Sequence, residues 1–198
     1  MARYTGPKDR LSRREGFDLF GKGSKLTRLT VPPGFHGPKG IGKVSQYGQQ
    51  LREKQKIKRL YGIYEKQFRR YVTQAVKSKG NTGNRLLSLL ERRLDNTVYR
   101  LGFAPTRPAA RQYVSHRHIL VNDKKVNIPS YQVKNGDTVS LTSTAAEIPA
   151  VQKRLNEDLK LPKWLKRKAI IGKVVGIPLA DDVPEPISIQ DIIEFYSR

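Results

Sequence analysis

The chain has 198 residues, with 39 Lys and Arg against 17 Asp and Glu, and its formal net charge is +22. This length suggests one or two domains with a substantial core, and so much charge of one sign repels itself unless a polyanion neutralises it. The absence of cysteine excludes disulfides, thiolate catalysis and thiolate zinc sites. No apolar run approaches the roughly 18 residues of a membrane-spanning helix, and no signal-peptide pattern follows Met1.

Residues 1–45 are predicted to form an extended basic arm. Gly and Pro recur there too often for long regular elements. Because such a segment has little core of its own, we expect it to order mainly against a partner, with a disordered solubility tail as the alternative. The candidate RNA-binding residues of the arm are Arg3, Tyr4, Arg13 and Arg14.

The segment from Tyr47 to Lys79 has the strongest helical pattern in the chain. Its apolar stripe repeats every three or four residues and comprises Ile57, Leu60, Tyr61, Tyr64, Phe68, Tyr71, Val72, Ala75 and Val76. Gly62 interrupts the stripe and suggests a boundary between two helices. We interpret the aromatic residues as core and the surrounding cations as phosphate contacts. The candidates are Arg52, Lys54, Lys56, Lys58, Arg59 and Arg69.

The stretch from Leu90 to Leu141 combines two helices with strands. Leu87, Leu90, Leu94, Val98 and Leu101 lie at helical spacing. After a break at Gly102 to Pro105, Thr106 is a suitable N-cap for a second helix that runs to about Ser115. Strand-like runs follow at 118–121 and 138–141, with turns at Asn122-Asp123 and Asn135-Gly136.

Polar and cationic side chains crowd the second helix of this stretch and the loop after it. The candidate RNA-binding residues are Arg107, Arg111, Gln112, Ser115, His116, Arg117, His118, Asn122, Lys124, Lys125 and Asn127. A solvated helix face is the plainer interpretation. However, Asp123 and Asp137 are the only acids between Thr106 and Leu141, whereas a face that only needed solubility would mix both signs. RNA, with its phosphates, 2′-hydroxyls and exposed bases, is the favoured partner.

Beyond Leu141 the character of the chain changes. A helix is predicted over 147–161, ended by Pro162, and Trp164 is expected to pack against the first domain as a lid. The stretch from Asp181 is acidic. Its carboxylates are compatible with metal binding or acid–base catalysis, but an acidic segment that packs on the basic helices of its own chain is the commoner case.

The sequence does not favour an enzyme. His116 and His118 are the only candidates for a ribonuclease acid and base, and at i and i+2 of an extended segment they should point to opposite faces. The chain contains no GxSxG, P-loop, HExxH or Cys/His cluster. We therefore predict no catalytic residue, no cofactor, no metal site and no small-molecule substrate.

Several segments resemble one known family. RLDNTVYRLGF, ARQYVSHRHILVN and VNIPSYQVKNGDTVSL look like the small RNA-binding domain of the small-subunit ribosomal protein four (S-four) family. MARYTGPKDRLSRREG, YGQQLREKQKIKRLYGIYEKQFRRYV, GNTG and IIEFYSR resemble the bacterial-type protein of that family, in the same order. Some relatives build the N-terminal arm around a cysteine-ligated zinc. The matching positions here hold Asp9 and Ser12, which indicates the zinc-less form.

The resemblance implies a mainly α fold with a small mixed α+β RNA-binding domain of two helices and antiparallel strands. The expected organisation is an arm at 1–45, a helical domain at 46–91 completed by 153–198, and the inserted RNA-binding domain at 92–152. Two residues depart from the usual family pattern. Arg117 stands where glycine is common, and Asp123 replaces the glycine of the usual Asn-Gly turn.

The resemblance also implies a function, that of a structural, cytoplasmic constituent of the small ribosomal subunit. Such a protein binds the multi-helix junction of the 5′ domain of small-subunit ribosomal RNA, nucleates assembly and influences translational accuracy. The implied neighbours are small-subunit protein five and messenger RNA near the entry channel. The alternatives are an RNA chaperone or translation-stress factor that uses the same module, and, more remotely, a peripheral protein on anionic membranes.

Overall fold

The computed structural model describes residues 4–40, 42–157 and 159–197. In this part of the chain the helices are α1 (Lys8–Glu15), α2 (Gln46–Leu60), α3 (Glu65–Lys77), α4 (Thr82–Glu91), α5 (Leu94–Arg100), α6 (Arg107–Ser115), α7 (Ser143–Ala146), α8 (Pro149–Leu155) and α9 (Ile189–Ser197). The strands are β1 (Ile119–Val121), β2 (Lys124–Lys125), β3 (Thr138–Leu141), β4 (Leu165–Lys168) and β5 (Ile171–Val174). They form one antiparallel sheet in the order β2-β1-β3-β5-β4. The predicted class, mainly α with a small α+β domain, is confirmed.

The chain divides into two compact units. One contains the chain up to residue 74 and from residue 185 onward, and the other contains residues 75–184. The second unit is thus longer at both ends than the expected small domain at 92–152. At its far end β5 pairs with β3, with Gly172 opposite Val139. Toward the N-terminus of the unit, α4 is joined to it by a hydrogen bond: Gln132 Nε2 donates to the carbonyl oxygen of Leu89 at 3.0 Å. Long-range hydrogen bonds, which local apolar patterns do not report, therefore extend this unit.

In the first unit, α2 and α3 are separate helices. Gly62, with a φ of 62°, follows α2, and the amides of Gly62 and Ile63 donate to the carbonyls of Arg59 and Lys58 at 3.1 and 3.0 Å. This is a Schellman end of a helix, which glycine favours. The expected boundary at Gly62 is confirmed. Because the chain turns there, the apolar stripe is not continuous: Phe68 is fully buried, but Tyr64 is 47% exposed, so its interpretation as a core residue was wrong.

The last helix of the chain, α9, packs on α2 within the first unit. Ile192 is fully buried, and the Phe195 and Tyr47 rings lie 5.6 Å apart. Gln50 Nε2 donates to Glu194 Oε2 at 2.8 Å, and the Tyr196 hydroxyl donates to Glu65 Oε1 at 2.7 Å. Polar and apolar contacts thus join the C-terminal helix α9 to α2 and α3.

The N-terminal arm differs from the extended segment expected from its Gly and Pro content. It contains α1, and Leu19, which follows that helix in the sequence, is buried. Arg13 Nε and Nη2 donate to the carbonyl oxygens of Val31 and Pro32 at 2.8 and 3.0 Å. One guanidinium thereby holds two backbone segments of the arm together, and this contact needs no metal.

In the second unit, the apolar residues of α5, α6 and one sheet face form a single buried cluster. Phe103, Val114, Ile119 and Val139 in this cluster are fully buried. Trp164 belongs to the same cluster and is 3% exposed, so the expectation that it covers the first domain was wrong. The reason is that Trp164 directly precedes β4, which the sheet holds beside β5.

The helix predicted over 147–161 is shorter in the structure. α8 begins at Pro149 and ends at Leu155, with Asn156 as its C-cap. A Cβ atom on Gly102 would lie 2.3 Å from Leu159 Cδ1, so Leu159 packs where this glycine leaves space. Arg167 then donates to the carbonyls of Leu101 and Glu157 at 3.1 and 3.2 Å. These contacts replace further helical turns.

None of the helices in the described ranges is long and apolar enough to span a membrane.

Candidate nucleic-acid interface

A buried ionic network lies beneath the predicted interface of the second unit. Glu91, which is fully buried, accepts hydrogen bonds from Arg100 Nε and Nη2 at 3.0 and 2.8 Å. Asn96 Nδ2 donates to Glu91 Oε2 at 2.9 Å. Next to this pair, Arg93 forms a bidentate contact with Asp95 at 3.0 and 2.7 Å. Buried charges persist only when they are paired in this way.

The network reaches the cations of α6. Thr106 caps this helix by accepting from the Ala109 amide at 3.3 Å. Arg107 Nε donates to Asn96 Oδ1 at 2.9 Å, and its guanidinium lies 4.5 Å from the centre of the Tyr99 ring. Arg111 Nη1 lies 3.8 Å from Asp95 Oδ2. Both arginines are therefore oriented by buried partners before any ligand binds.

The loop after α6 ends that helix with an unusual residue. The amides of Arg117 and His118 each donate at 3.0 Å, to the carbonyls of Val114 and Tyr113. This is again a Schellman end, and Arg117 occupies its left-handed position with a φ of 63°. The predicted opposite orientation of His116 and His118 was wrong, since their ring centres lie 6.1 Å apart. The left-handed turn at Arg117 breaks the extended geometry on which that expectation rested.

We expect Arg117→Gly to raise the free energy of unfolding by about 1 kcal/mol, because glycine adopts this φ without steric cost. Urea denaturation followed by the fluorescence of Trp164, which is buried in the same unit, measures the change. Arg117→Ala is the matched control, since it removes the same charge but keeps the strained φ. An equal gain in both variants would contradict this explanation.

The turn between β1 and β2 has the conformation that its unusual sequence requires. Asn122 and Asp123 have φ values of 48° and 63°, and Val121 lies opposite Lys124. Positive φ at both central residues defines a type I′ hairpin turn. Asn122 Nδ2 donates to Asp137 Oδ1 at 2.8 Å, and its Oδ1 accepts from the Thr138 amide at 2.9 Å. Asn122 therefore joins two turns, with one N–H and one lone pair left for a ligand.

The structure brings four of the remaining candidates of this unit together around one concavity. A shallow concavity of about 490 Å³ is lined by His116, Arg117, His118, Leu120, Lys125, Leu141, Thr142, Ser143 and Thr144. Lys124, Asn127 and Gln112 are exposed, while Ser115 donates its hydroxyl to the carbonyl oxygen of Arg111 at 2.9 Å. Cations and hydroxyl groups thus share one accessible surface, which suits phosphates and 2′-hydroxyls.

The candidate cations of α2 have acidic partners within their own unit. Glu15 from α1 pairs with Arg59 and, at 3.6 Å, with Arg52. Glu65 accepts from Lys54 and Lys58, each at 3.0 Å. Glu53 lies 3.3 Å from Lys56. Lys54 is only 7% exposed and also lies 4.3 Å from the centre of the Phe195 ring. A phosphate would have to share these groups with carboxylates.

The two carboxylates that hold α2 have pKa values shifted in opposite directions. Desolvation raises the pKa of Glu15 above its ordinary value despite the nearby Arg59 and Arg52. Desolvation would also raise the pKa of Glu65, but hydrogen bonds from Tyr196, Lys58 and Lys54 outweigh it and lower that pKa to about 2. Glu65 is therefore a structural anion that joins α2, α3 and α9.

We expect Glu65→Gln to lower the free energy of unfolding by about 1–2 kcal/mol at pH 7, after discounting for partial exposure. The pKa of Glu65 falls from an ordinary value of 4.5 to about 2 on folding. Its stabilisation is therefore complete above pH 4.5 and is lost as the pH falls toward 2. Chemical denaturation followed by circular dichroism at several pH values tests this. A difference from the parent protein that does not shrink in acid would contradict it.

The other candidates of the first unit differ in their exposure and contacts. Tyr4, Arg14 and Arg69 are exposed, while Arg13 is committed to the backbone of the arm. Arg3 lies outside the described residues. Sequence reasoning missed Glu91, Arg93 and Asp95 as the support of the interface. The available signal was the presence of charged residues on an otherwise apolar helical stripe.

A small α+β unit that presents pre-oriented cations on one surface defines a nucleic-acid-binding class of protein. Two family models match the chain in succession: the ribosomal protein S4/S9 N-terminal domain over residues 3–91 and the S4 domain over residues 92–139.

Relatives match over the full length. The chain is 50% identical over 209 residues to the small ribosomal subunit proteins uS4 of Trichlorobacter lovleyi and Halothermothrix orenii, and 49% identical to that of Geobacter sulfurreducens. Each match covers 100% of both chains. The chain belongs to the uS4 family of small ribosomal subunit proteins.

Proposed function

We propose that this protein is a structural constituent of the small ribosomal subunit and binds small-subunit ribosomal RNA. The observation that carries the proposal is the set of cations that the second unit presents: those that line the concavity, and Arg107 and Arg111, which the buried ionic network orients. The net charge of +22 and the full-length similarity to uS4 proteins support it.

The mechanism has two steps. Long-range attraction between the cations and the RNA speeds the encounter, and phosphate contacts release counterions. Arg107 and Arg111 are already oriented by Asn96 and Asp95, so little side-chain entropy is lost when they bind. Hydroxyl and amide groups beside them can then contact 2′-hydroxyls and splayed bases. Rigid positioning makes the surface selective for a folded RNA shape.

The resemblance of the chain to its family extends the proposal to a particular place in the subunit. We propose the multi-helix junction of the 5′ domain as the RNA site, where binding nucleates assembly. Small-subunit protein five and messenger RNA near the entry channel are the proposed neighbours, and through them the protein influences translational accuracy.

We expect the double variant Arg111→Ala/Lys124→Ala to bind the RNA 5′ domain more weakly, with a salt slope lower by up to about one per lost phosphate contact. Lys153→Ala/Lys163→Ala removes two exposed lysines of the same unit that are not candidate RNA-binding residues and serves as the control. Filter binding over a range of salt concentrations gives both slopes. An unchanged slope in the first variant would mean that these two side chains touch no phosphate.

A further inference from the structure

The sheet of the second unit has one open face. Ile119, Val139 and Val174 point into the buried cluster. Their neighbours along each strand point the other way, because successive side chains alternate between the two faces of a sheet. Ile171 and Lys173 are exposed on this second side. The open face is therefore a surface distinct from the core.

Strand register arranges the side chains of the open face in two rows. The first row runs across all five strands and contains Lys125, Leu120, Ser140, Ile171 and Lys168, each opposite the next. The second row contains Thr138, Lys173 and Lys166. Directly opposed residues project from the same face, with Cβ atoms roughly 5 Å apart. The rows therefore place four lysines and two hydroxyl groups on one surface.

The lysines of this face have no anionic partner in the described part of the second unit. None of the five strands contains an Asp or Glu. Across the described ranges, Lys125, Lys166, Lys168 and Lys173 form no ion pair, in contrast to the cations of α2. Lys166 lies directly opposite Lys173, an arrangement that destabilises a sheet. The isolated fold bears this repulsion, which a polyanion would relieve.

We propose that the open sheet face, defined by the two rows above, is a second RNA-binding surface, on which Lys166 and Lys173 contact RNA phosphates. The inference rests on the proposed RNA-binding function. Five strands at a spacing of about 4.8 Å make a surface roughly 19 Å wide, enough for several nucleotides of backbone. Ser140 and Thr138 supply hydroxyl groups beside the lysines. Lys125 belongs both to this face and to the concavity near His118, so the two surfaces are continuous.

The experiment uses the full chain and the double variant Lys166→Ala/Lys173→Ala. The matched control is Lys153→Ala/Lys163→Ala, which removes two exposed lysines of the same unit that lie outside the strands. The probes are the small-subunit ribosomal RNA 5′ domain of Geobacter sulfurreducens, a duplex RNA of equal length and vesicles of anionic phospholipid. Binding is measured over a range of salt concentrations, and thermal unfolding is measured in parallel.

The expected result separates binding from stability. The sheet variant should bind RNA about tenfold more weakly than the control, with a salt slope lower by up to about 0.7–0.9 per lost phosphate. Its unfolding midpoint should be equal to or above that of the parent protein, because the opposed charges are gone. A residue needed only for folding would move the midpoint down instead.

The same experiment distinguishes a failure of the proposed sheet surface from a failure of the proposed RNA-binding function. Salt slopes equal to those of the control on both RNAs would overturn the second surface. Weaker binding of the sheet variant to anionic lipid vesicles, with unchanged RNA slopes, would assign the face to a membrane and also overturn it. Failure of the unsubstituted protein to prefer the 5′ domain over the duplex would contradict the proposed function. Even then, a lower salt slope of the sheet variant than of the control variant on the duplex RNA would support the sheet surface.

Discussion

Glu91→Ala should lower the free energy of unfolding of the second unit by about 3–5 kcal/mol, the usual cost of removing one partner from a buried ion pair. Glu91 is fully buried, and its two oxygens accept from Arg100 and Asn96 at 2.8–3.0 Å. Without Glu91, the guanidinium of Arg100 loses the buried carboxylate that accepts from its Nε and Nη2. Urea denaturation followed by Trp164 fluorescence measures the loss.

A double variant distinguishes the contribution of the Glu91–Arg100 ion pair to stability from the contribution of the surrounding packing. Glu91→Met/Arg100→Met removes both charges and keeps apolar volume, so it should recover much of the stability lost in Glu91→Ala. RNA binding should recover less, because Asn96 would lack the partner that helps to orient it toward Arg107. A loss below about 1 kcal/mol in Glu91→Ala would contradict the structural role assigned to this network.

Gly37→Ala should disturb the fold of the N-terminal arm and make it more sensitive to proteolysis. A Cβ atom at this position would lie 2.1 Å from the carbonyl oxygen of Pro32, so the backbone has to shift, at a cost of about 1–3 kcal/mol. The same carbonyl accepts from Arg13 Nη2 at 3.0 Å, and the shift would disturb that contact as well. We expect limited proteolysis to cleave the arm at least tenfold faster, while the second unit stays resistant.

The control for this prediction is Gly42→Ala. No heavy atom lies within 4 Å of the position that its Cβ would take, and its φ lies outside the left-handed region. Cleavage of the arm at the parental rate in both variants would show that the contact between Gly37 and Pro32 contributes little to the shape of the arm.

Local patterns in the sequence were sufficient for most of the elements. Thr106 indicated the start of α6, and Gly62 indicated the end of α2. These features act within a few residues, so one-dimensional patterns report them. The prediction was also correct for the turn at Asn122-Asp123, because few other residues tolerate two successive positive φ values. The apolar spacing from Leu87 to Leu101 indicated a single helix, but the structure divides it into α4 and α5, because Arg93 is extended and pairs with Gln132.

Long-range pairing explains what the sequence did not reveal. The partner of Arg59 is Glu15, 44 positions earlier, so the local sequence of α2 does not show how far its cations are neutralised. Trp164 was assigned to the wrong unit because the pairing of β5 with β3 has no local signature. The open sheet face was overlooked for the same reason, since its rows appear only when the register of five strands is known.

The most direct test of the account is titration of the full chain against the small-subunit ribosomal RNA 5′ domain at two salt concentrations, with a duplex RNA of equal length as competitor. The proposed function predicts tight binding that weakens with salt and yet survives the competitor, because oriented cations recognise one folded shape. Binding abolished equally by salt and by the duplex would contradict it and would leave only a generic polycation.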